Sequence, residues 1–409
     1  MKETKFKNTE IGRIPDDWEV RTINSFCSVK TGPFGSMLHA EDYVAKGTPI
    51  VTTEHFKNGI LPLVGKDIPQ VGIEDLKRMS SYTLTKDDIV FSRVGSVDIN
   101  ALVTVRQKGW LFSGRVLRVR PFKQTDSLYL HYGLLKHSVR SDIVSRAVGL
   151  TMASINTKIL GETELSLPPL NEQHSIASAL TSIDNLISSL GKLIEKKKNI
   201  KQGAMQQLLT GKIRIKEFNE PWVEKKLGDI GSLAMCKRIF QEETSEKGDV
   251  PFYKIGTFGQ QADAYITKGK YEQFKQMYRF PQKGDVLISA AGTIGRTVIY
   301  NGEPAYFQDS NIVWLAHNGK YITNNFLFYI YQRTDWNTED TTIARLYNNN
   351  FNNTCIHFPS SITEQQAIAN ILSKMDNEIT ALETKKTKYE AIKQGMMQQL
   401  LTGKIRLIS

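Results

Sequence analysis

The sequence predicts an α+β protein: two mixed α/β lobes separated by two long helices that form an antiparallel coiled coil, with internal pseudo-twofold symmetry. Three observations carry this. KQGAMQQLLTGKIR at 201–214 returns as KQGMMQQLLTGKIR at 393–406, identical at 13 of 14 positions and offset by 192. Ahead of each copy, apolar residues recur at alternating steps of four and three. The blocks before those segments carry short β-rich runs broken by glycine turns. A segment held in register over so large an offset marks two copies of one structural unit. The expected division is a lobe at 1–167, a helical segment at 168–214, a second lobe at 215–358 and a second helical segment at 359–409.

In the first lobe, DDIVFSRV, ALVTV and GRVLRVRP read as strands, and LYLHYGLLKHSV reads as a helical interruption. Pro168-Pro169 then marks a helix start, where proline is tolerated. Along that helix Ile176, Leu180, Ile183, Ile187, Leu190 and Ile194 form a seam of the 3.5-residue period typical of coiled coils. The second lobe shows DVLISAAG, RTVIY and NIVWLA as strands and NNFLFYIYQ as a helix. Pro359 precedes the second seam of Ile368, Leu372, Met375, Ile379 and Leu382, continued by Lys386 and Tyr389. Gly211 and Gly403 suit the left-handed position after a last helical turn. Two matched seams in one chain are expected to pack on each other and place the lobes at opposite ends; the alternative is that each helix packs only on its own lobe. Gly203 and Gly395 lie inside the helical runs and suggest either a close approach by a neighbouring chain or a kink.

Length and composition fit a globular protein of about two to three domains. The 409 residues carry a net charge of +11, which favours a polyanionic partner. Charge is uneven, however, and residues 215–358 hold 16 basic and 16 acidic side chains. Cys27, Cys236 and Cys355 are isolated, so a disulfide framework is not expected and a reducing cytoplasm is. No apolar run approaches the length of a membrane span.

Motifs for chemistry are missing. The sequence contains no GxxxxGK[ST] and no HExxH, and its seven histidines show no metal-ligand spacing. Leu167-Pro168-Pro169-Leu170 lacks the flanking residues of an adenine methyltransferase site, and the acidic run around Asp17 and Glu19 is of a kind that arises often by chance. The expectation is a protein that is not an enzyme, with no metal and no cofactor of its own. Better signals are polar and aromatic residues beside glycine turns. In the first lobe these are Lys30, Thr31, Gly32, Phe34 and Ser36, then Arg93, Ser96, Arg115, Arg118, Arg120 and Arg146. Alternation puts Arg118 and Arg120 on one strand face, where they could follow phosphates or fork onto guanine. In the second lobe Arg238, Lys254, Thr293, Arg296, Gln308, Asn311, Arg345, Tyr347 and Asn348 are the candidates. Singly, each is more often a solvated surface residue or a turn-forming amide.

The lobes echo each other in DDWEVRTINSF and EPWVEKKLGDI, and in KDDIVFSRVGSV and KGDVLISAAGTI. With TEIGRIPDDWEV, SLPPLNEQHSIA and the doubled QLLTGKIR, the chain resembles the specificity subunit of type I restriction–modification systems over almost its whole length. The resemblance implies that each lobe recognises one half of a bipartite target in double-stranded DNA. It implies helices that set the spacing and dock two methyltransferase (modification) subunits, with Gln206, Gln207, Leu208, Leu209, Gln398, Gln399, Leu400 and Leu401 as candidate docking residues. S-adenosylmethionine, ATP and magnesium would belong to partner subunits, including motor-nuclease (restriction) subunits where present. A coiled-coil scaffold without DNA readout is the competing expectation.

Overall fold

A computed structural model describes residues 4–33, 37–65, 67–149, 151–336 and 345–408. Two helices of 39 residues each, Leu170–Leu208 and Ile362–Leu400, are its longest elements. At 1.5 Å per residue each runs to about 58 Å. Compact structure divides inside these helices: residues 1–191 with 384–409 form one unit, and 192–383 the other.

In the first unit, Glu19–Thr22 pairs with Glu164–Leu167 in a short antiparallel ribbon. Beyond it lies a four-stranded antiparallel sheet in the order Cys27–Thr31, Val116–Pro121, Ile89–Ser92, Asn100–Leu102. A smaller sheet contains the parallel pair Thr48–Val51 and Leu111–Phe112. The helices Ser127–Leu134 and His137–Ser145 close one core, which also takes in Trp18, Ile176 and Leu180.

The second unit repeats this order. Trp222–Lys226 pairs with Cys355–Pro359, and the main sheet runs Ser232–Met235, Ile312–Ala316, Val286–Ser289, Thr297–Ile299. A three-stranded sheet again holds one parallel pair, Val250–Tyr253 with Tyr306–Phe307. Asn324–Arg333 packs beneath with Ile368 and Leu372. Two lobes that share few residues therefore share a topology, because alternation of apolar residues sets strand and face while leaving identity free.

Within each unit the long helices run antiparallel. In the first, Asp184 of the first helix meets Lys393 of the second at 2.6 Å. In the second, Lys197 meets Glu378 at 2.6 Å, and Lys201 meets Asp376. Ile183, Leu190, Ile194 and Ile379 are buried along the seam, with Ile187, Leu382, Met375 and Tyr389 half-buried. Pairing along the seam and packing on the lobe both occur. Ile176 and Leu180, like Ile368 and Leu372, are absorbed into lobe cores.

The doubled QLLTGKIR differs from the docking expectation. Leu209, Leu400 and Leu401 are buried, the first within the second lobe's core and the others within the first's. Leu208 is half-buried against the second core. These leucines close a lobe rather than face a partner, since their burial removes apolar surface from water. Gln206, Gln207 and Gln398 remain exposed and Gln399 half-exposed. Gly211 and Gly403 adopt φ of 68° and 67°, the left-handed geometry that ends each helix. At Gly203 and Gly395 the helices run on without a break, and among the described residues nothing beyond the adjoining helix backbone and chain neighbours lies within 4 Å of where a Cβ would stand.

Candidate nucleic-acid interface

The repeated charges explain why the helical copies match so closely. In the first unit Arg406 forks onto Glu172, with Nε to Oε1 and Nη2 to Oε2 both 2.7 Å, while Trp18 Nε1 donates to the same carboxylate at 3.0 Å. Arg406 also reaches Asp17 at 2.9 and 2.7 Å. Its guanidinium holds the Asp17 carboxyl below its usual range, and the two carboxylates raise the arginine. In the second unit Arg214 forks onto Glu364 at 3.1 and 2.6 Å, and Trp222 Nε1 donates to it at 3.4 Å. A second pair of clamps follows. Tyr132 donates to Asp184 at 2.8 Å beside Lys393, and Tyr329 donates to Asp376 at 2.9 Å beside Lys201. Gln173 and Gln365 accept from the backbone N–H of Asp126 and Thr323, the residues that cap a lobe helix. Sequence reasoning passed over these clamps. Their signal was present: Glu172, Gln173, Asp184, Lys201 and Arg214 recur 192 residues later as Glu364, Gln365, Asp376, Lys393 and Arg406.

With the lobe bases so fixed, the opposite end of each main sheet forms a rim. In the first lobe the Arg93 backbone N–H donates to the Arg115 carbonyl, and Gly32 N–H to that of Val116. Gly32 lies so close to the neighbouring turn that a Cβ would stand 2.0 Å from the Ser113 carbonyl oxygen. Arg93 Nη1 donates to the Gly114 carbonyl at 2.9 Å and lies 3.4 Å from the Thr31 hydroxyl. Arg115 and Ser96 are exposed. Arg93 and Arg115 both line a cleft of about 540 Å³ with Thr52, Thr53 and Glu54. Phe34 and Ser36 lie outside the described residues.

Three first-lobe arginines depart from expectation. Arg118 is 7% exposed, near the Phe112 ring, so it offers no open phosphate contact. Arg120 forks onto Asp88 at 2.6 and 2.7 Å. Arg146 braces the lobe base through the Ile159 carbonyl at 2.9 Å, the Thr163 hydroxyl at 2.6 Å and Asp142. Strand alternation puts Arg118 and Arg120 on one face, but there Arg118 is covered beside Phe112 of the smaller sheet, and Arg120, half-exposed, is taken up by Asp88. Lys30 sits 4.2 Å over Tyr82 and donates to the Ser81 carbonyl. Desolvation, then Arg118 and Arg120, lower its pKa.

The second lobe gathers its candidates at the matching rim. The Ala290 N–H donates to the Asn311 carbonyl, and Ala291 forms a bridge with Arg345. Thr293, Arg345, Tyr347 and Asn348 are exposed there. Asn348 opens the short helix Asn348–Asn353. Arg238 pairs with Asp309 at 2.8 Å. Lys254 pairs with Asp263 at 2.9 Å. Gln308 accepts from the Ile255 N–H, and Arg296 donates to the Phe258 carbonyl, so both hold loops in place. Among the described residues no cluster of His, Cys, Asp and Glu has the makings of a metal site.

Known proteins place this architecture. Residues 15–202 and 219–394 each match the type I restriction modification DNA specificity domain. This chain belongs to that family. Two copies of the specificity domain account for both lobes and most of both long helices. The chain is 32% identical over 343 residues to a putative type I restriction enzyme specificity subunit of Haemophilus influenzae, covering 80% of this chain and 87% of the relative. It is 28% identical over 435 residues to the putative type I restriction enzyme MjaX specificity subunit of Methanocaldococcus jannaschii, covering 99% and 98%. Its fold is similar to the crystal structure of a type I restriction–modification S subunit from M. genitalium. That likeness has a TM-score of 0.59 at 18% identity, over 94% of this chain and 96% of the other. In specificity-domain terms, each copy consists of a lobe plus the helix that follows it.

Proposed function

We propose that this chain is the DNA-binding specificity subunit of a type I restriction–modification complex. Each lobe reads one half of a bipartite target through its rim, and the paired helices set the distance between the halves. The observation that carries the reading is the double match to the DNA specificity domain, one copy per lobe and helix. The rims support it. They sit on sheets of one topology, yet one presents Arg93, Ser96 and Arg115, and the other Thr293, Arg345 and Tyr347. Sequence is read by hydrogen bonds to base edges, so lobes of one fold with unlike rims suit unlike half-sites.

Catalysis is assigned to partners. Two methyltransferase subunits would bring S-adenosylmethionine, and restriction subunits would bring ATP and magnesium. Exposed Gln206, Gln207 and Gln398 remain candidates for docking, while the adjoining buried leucines do not. No observation favours a scaffold without DNA readout. Methylome sequencing of the host with and without this gene tests the proposal. Loss of one bipartite methylated motif on deletion is expected, and an unchanged methylome refutes it.

A further inference from the structure

We propose that the second lobe carries a cradle for DNA backbone phosphates formed by Lys275, Arg279 and Lys283. This rests on the DNA-reading function above and adds a surface apart from the rim. The three side chains line a cleft of about 700 Å³ beside Tyr278 and Trp314. Lys275 lies near the end of the helix Lys268–Met277, Arg279 just beyond it, and Lys283 at the turn that opens the strand Val286–Ser289. All three are exposed. Lys275 Nζ donates to the Tyr271 hydroxyl at 3.1 Å, and Arg279 to the Ser232 hydroxyl at 3.3 Å. Among the described residues none of them forms an ion pair. Asp285 is the one carboxylate of the lining, and it is occupied by the Gln282 N–H at 2.8 Å and the Asn324 amide at 3.3 Å. Lys237, over the Tyr278 ring, adds a fourth cation nearby. The lobe as a whole has equal numbers of basic and acidic residues, so this charge is a local field and not a share of a general excess.

A second observation comes from the first lobe. Arg118 stands opposite Lys30 across the strand pair that corresponds to Trp314 and Ala234 in the second lobe. Asp88 and Asp285 cap the same turn, accepting the N–H of Thr85 and Gln282. At this one place the first lobe's cations are engaged, with Lys30 over Tyr82, Arg118 buried near Phe112 and Arg120 forked onto Asp88, whereas the second lobe's Lys275, Arg279 and Lys283 stay exposed and free of ion pairs among the described residues. Open positive charge at this place thus belongs to the second lobe, where no carboxylate among the described residues neutralises it. Exposed, unneutralised cations around one cleft suit a polyanion, and the phosphates of a duplex offer one whatever the bases.

The test uses the full chain with its modification partner and a duplex bearing the host's methylated motif. Binding is measured against salt concentration for the wild type and for the triple variant Lys275→Gln, Arg279→Gln, Lys283→Gln. The cradle predicts that the slope of log affinity against log salt shrinks by about 2–3, with the methylated motif unchanged. Lys275→Arg with Lys283→Arg should keep the wild-type slope and controls for folding. An unchanged slope in the triple variant overturns the cradle, as does a changed second half-site, which would mean base reading. Loss of the modification partner on purification also overturns it, by marking a protein-docking surface. A wild-type complex that binds no DNA removes the functional reading itself, and the cradle with it.

Discussion

At the scale of single residues, burial decides which charges are structural. Arg406 is 9% exposed at its side chain and serves Glu172, itself 1% exposed. Arg406→Ala would leave a buried carboxylate unpaired, a change that costs about 3–5 kcal/mol. Urea denaturation should show this, with Arg406→Lys intermediate because a lysine cannot fork onto both oxygens. His131 offers a pH test. It is half-buried, with Nδ1 2.6 Å from Asn100 Oδ1. Burial first, then Lys393, lowers its pKa to about 4, against the pull of Asp184. The folded state therefore prefers the neutral ring. The stability this confers is complete above the ring's ordinary pKa near 6.5 and is lost as pH falls toward 4. The loss is about 3 kcal/mol. His131→Gln should flatten the stability profile across that window in denaturant melts. Gly32→Ala would drive a methyl into the Ser113 carbonyl. Such overpacking costs about 1–3 kcal/mol, seen as a lower melting temperature.

Among elements, the long helices matter most. Their seam was legible because a 3.5-residue period survives in the chain itself. Each seam nonetheless serves two surfaces: Ile176 and Leu180 belong to a lobe core, while Leu190 and Ile194 lie further along the helix. Register within each unit comes from charges, through Asp184 with Lys393 and Asp376 with Lys201. Inserting seven residues into both helices, after Gly191 and after Glu383, keeps those pairs and adds about 10 Å of helix. Methylome sequencing should then report a longer spacer and the same two half-sequences. Altered half-sequences would show that the helices take part in reading bases.

For the whole molecule, the repeat gives each lobe the same kind of base within its own unit. Exchanging residues 215–358 for the corresponding lobe of a relative should change one half of the methylated motif. A chimera that changes both halves, or neither, would contradict one-lobe, one-half reading. The isolated chain incubated with DNA and S-adenosylmethionine should transfer no methyl groups, and measurable transfer would move catalysis into this subunit.

Periodicity and repetition are local properties, so the sequence by itself determined the two helices, their glycine ends, the α+β character of the lobes and the doubled plan. Burial and partner choice depend on chain segments far apart, and only the tertiary structure decided those. Arg118 looks like an open strand cation until the smaller sheet covers it, and Leu401 looks like a docking residue until the first lobe's core closes around it. The cradle residues Lys275, Arg279 and Lys283 are neighbours in the sequence but belong to no motif; the cleft they line exists only because Ser232, Tyr300 and Trp314 come to it from distant segments. A side chain's exposure is set by what packs over it, and spacing along a strand or helix cannot report what comes from elsewhere in the chain.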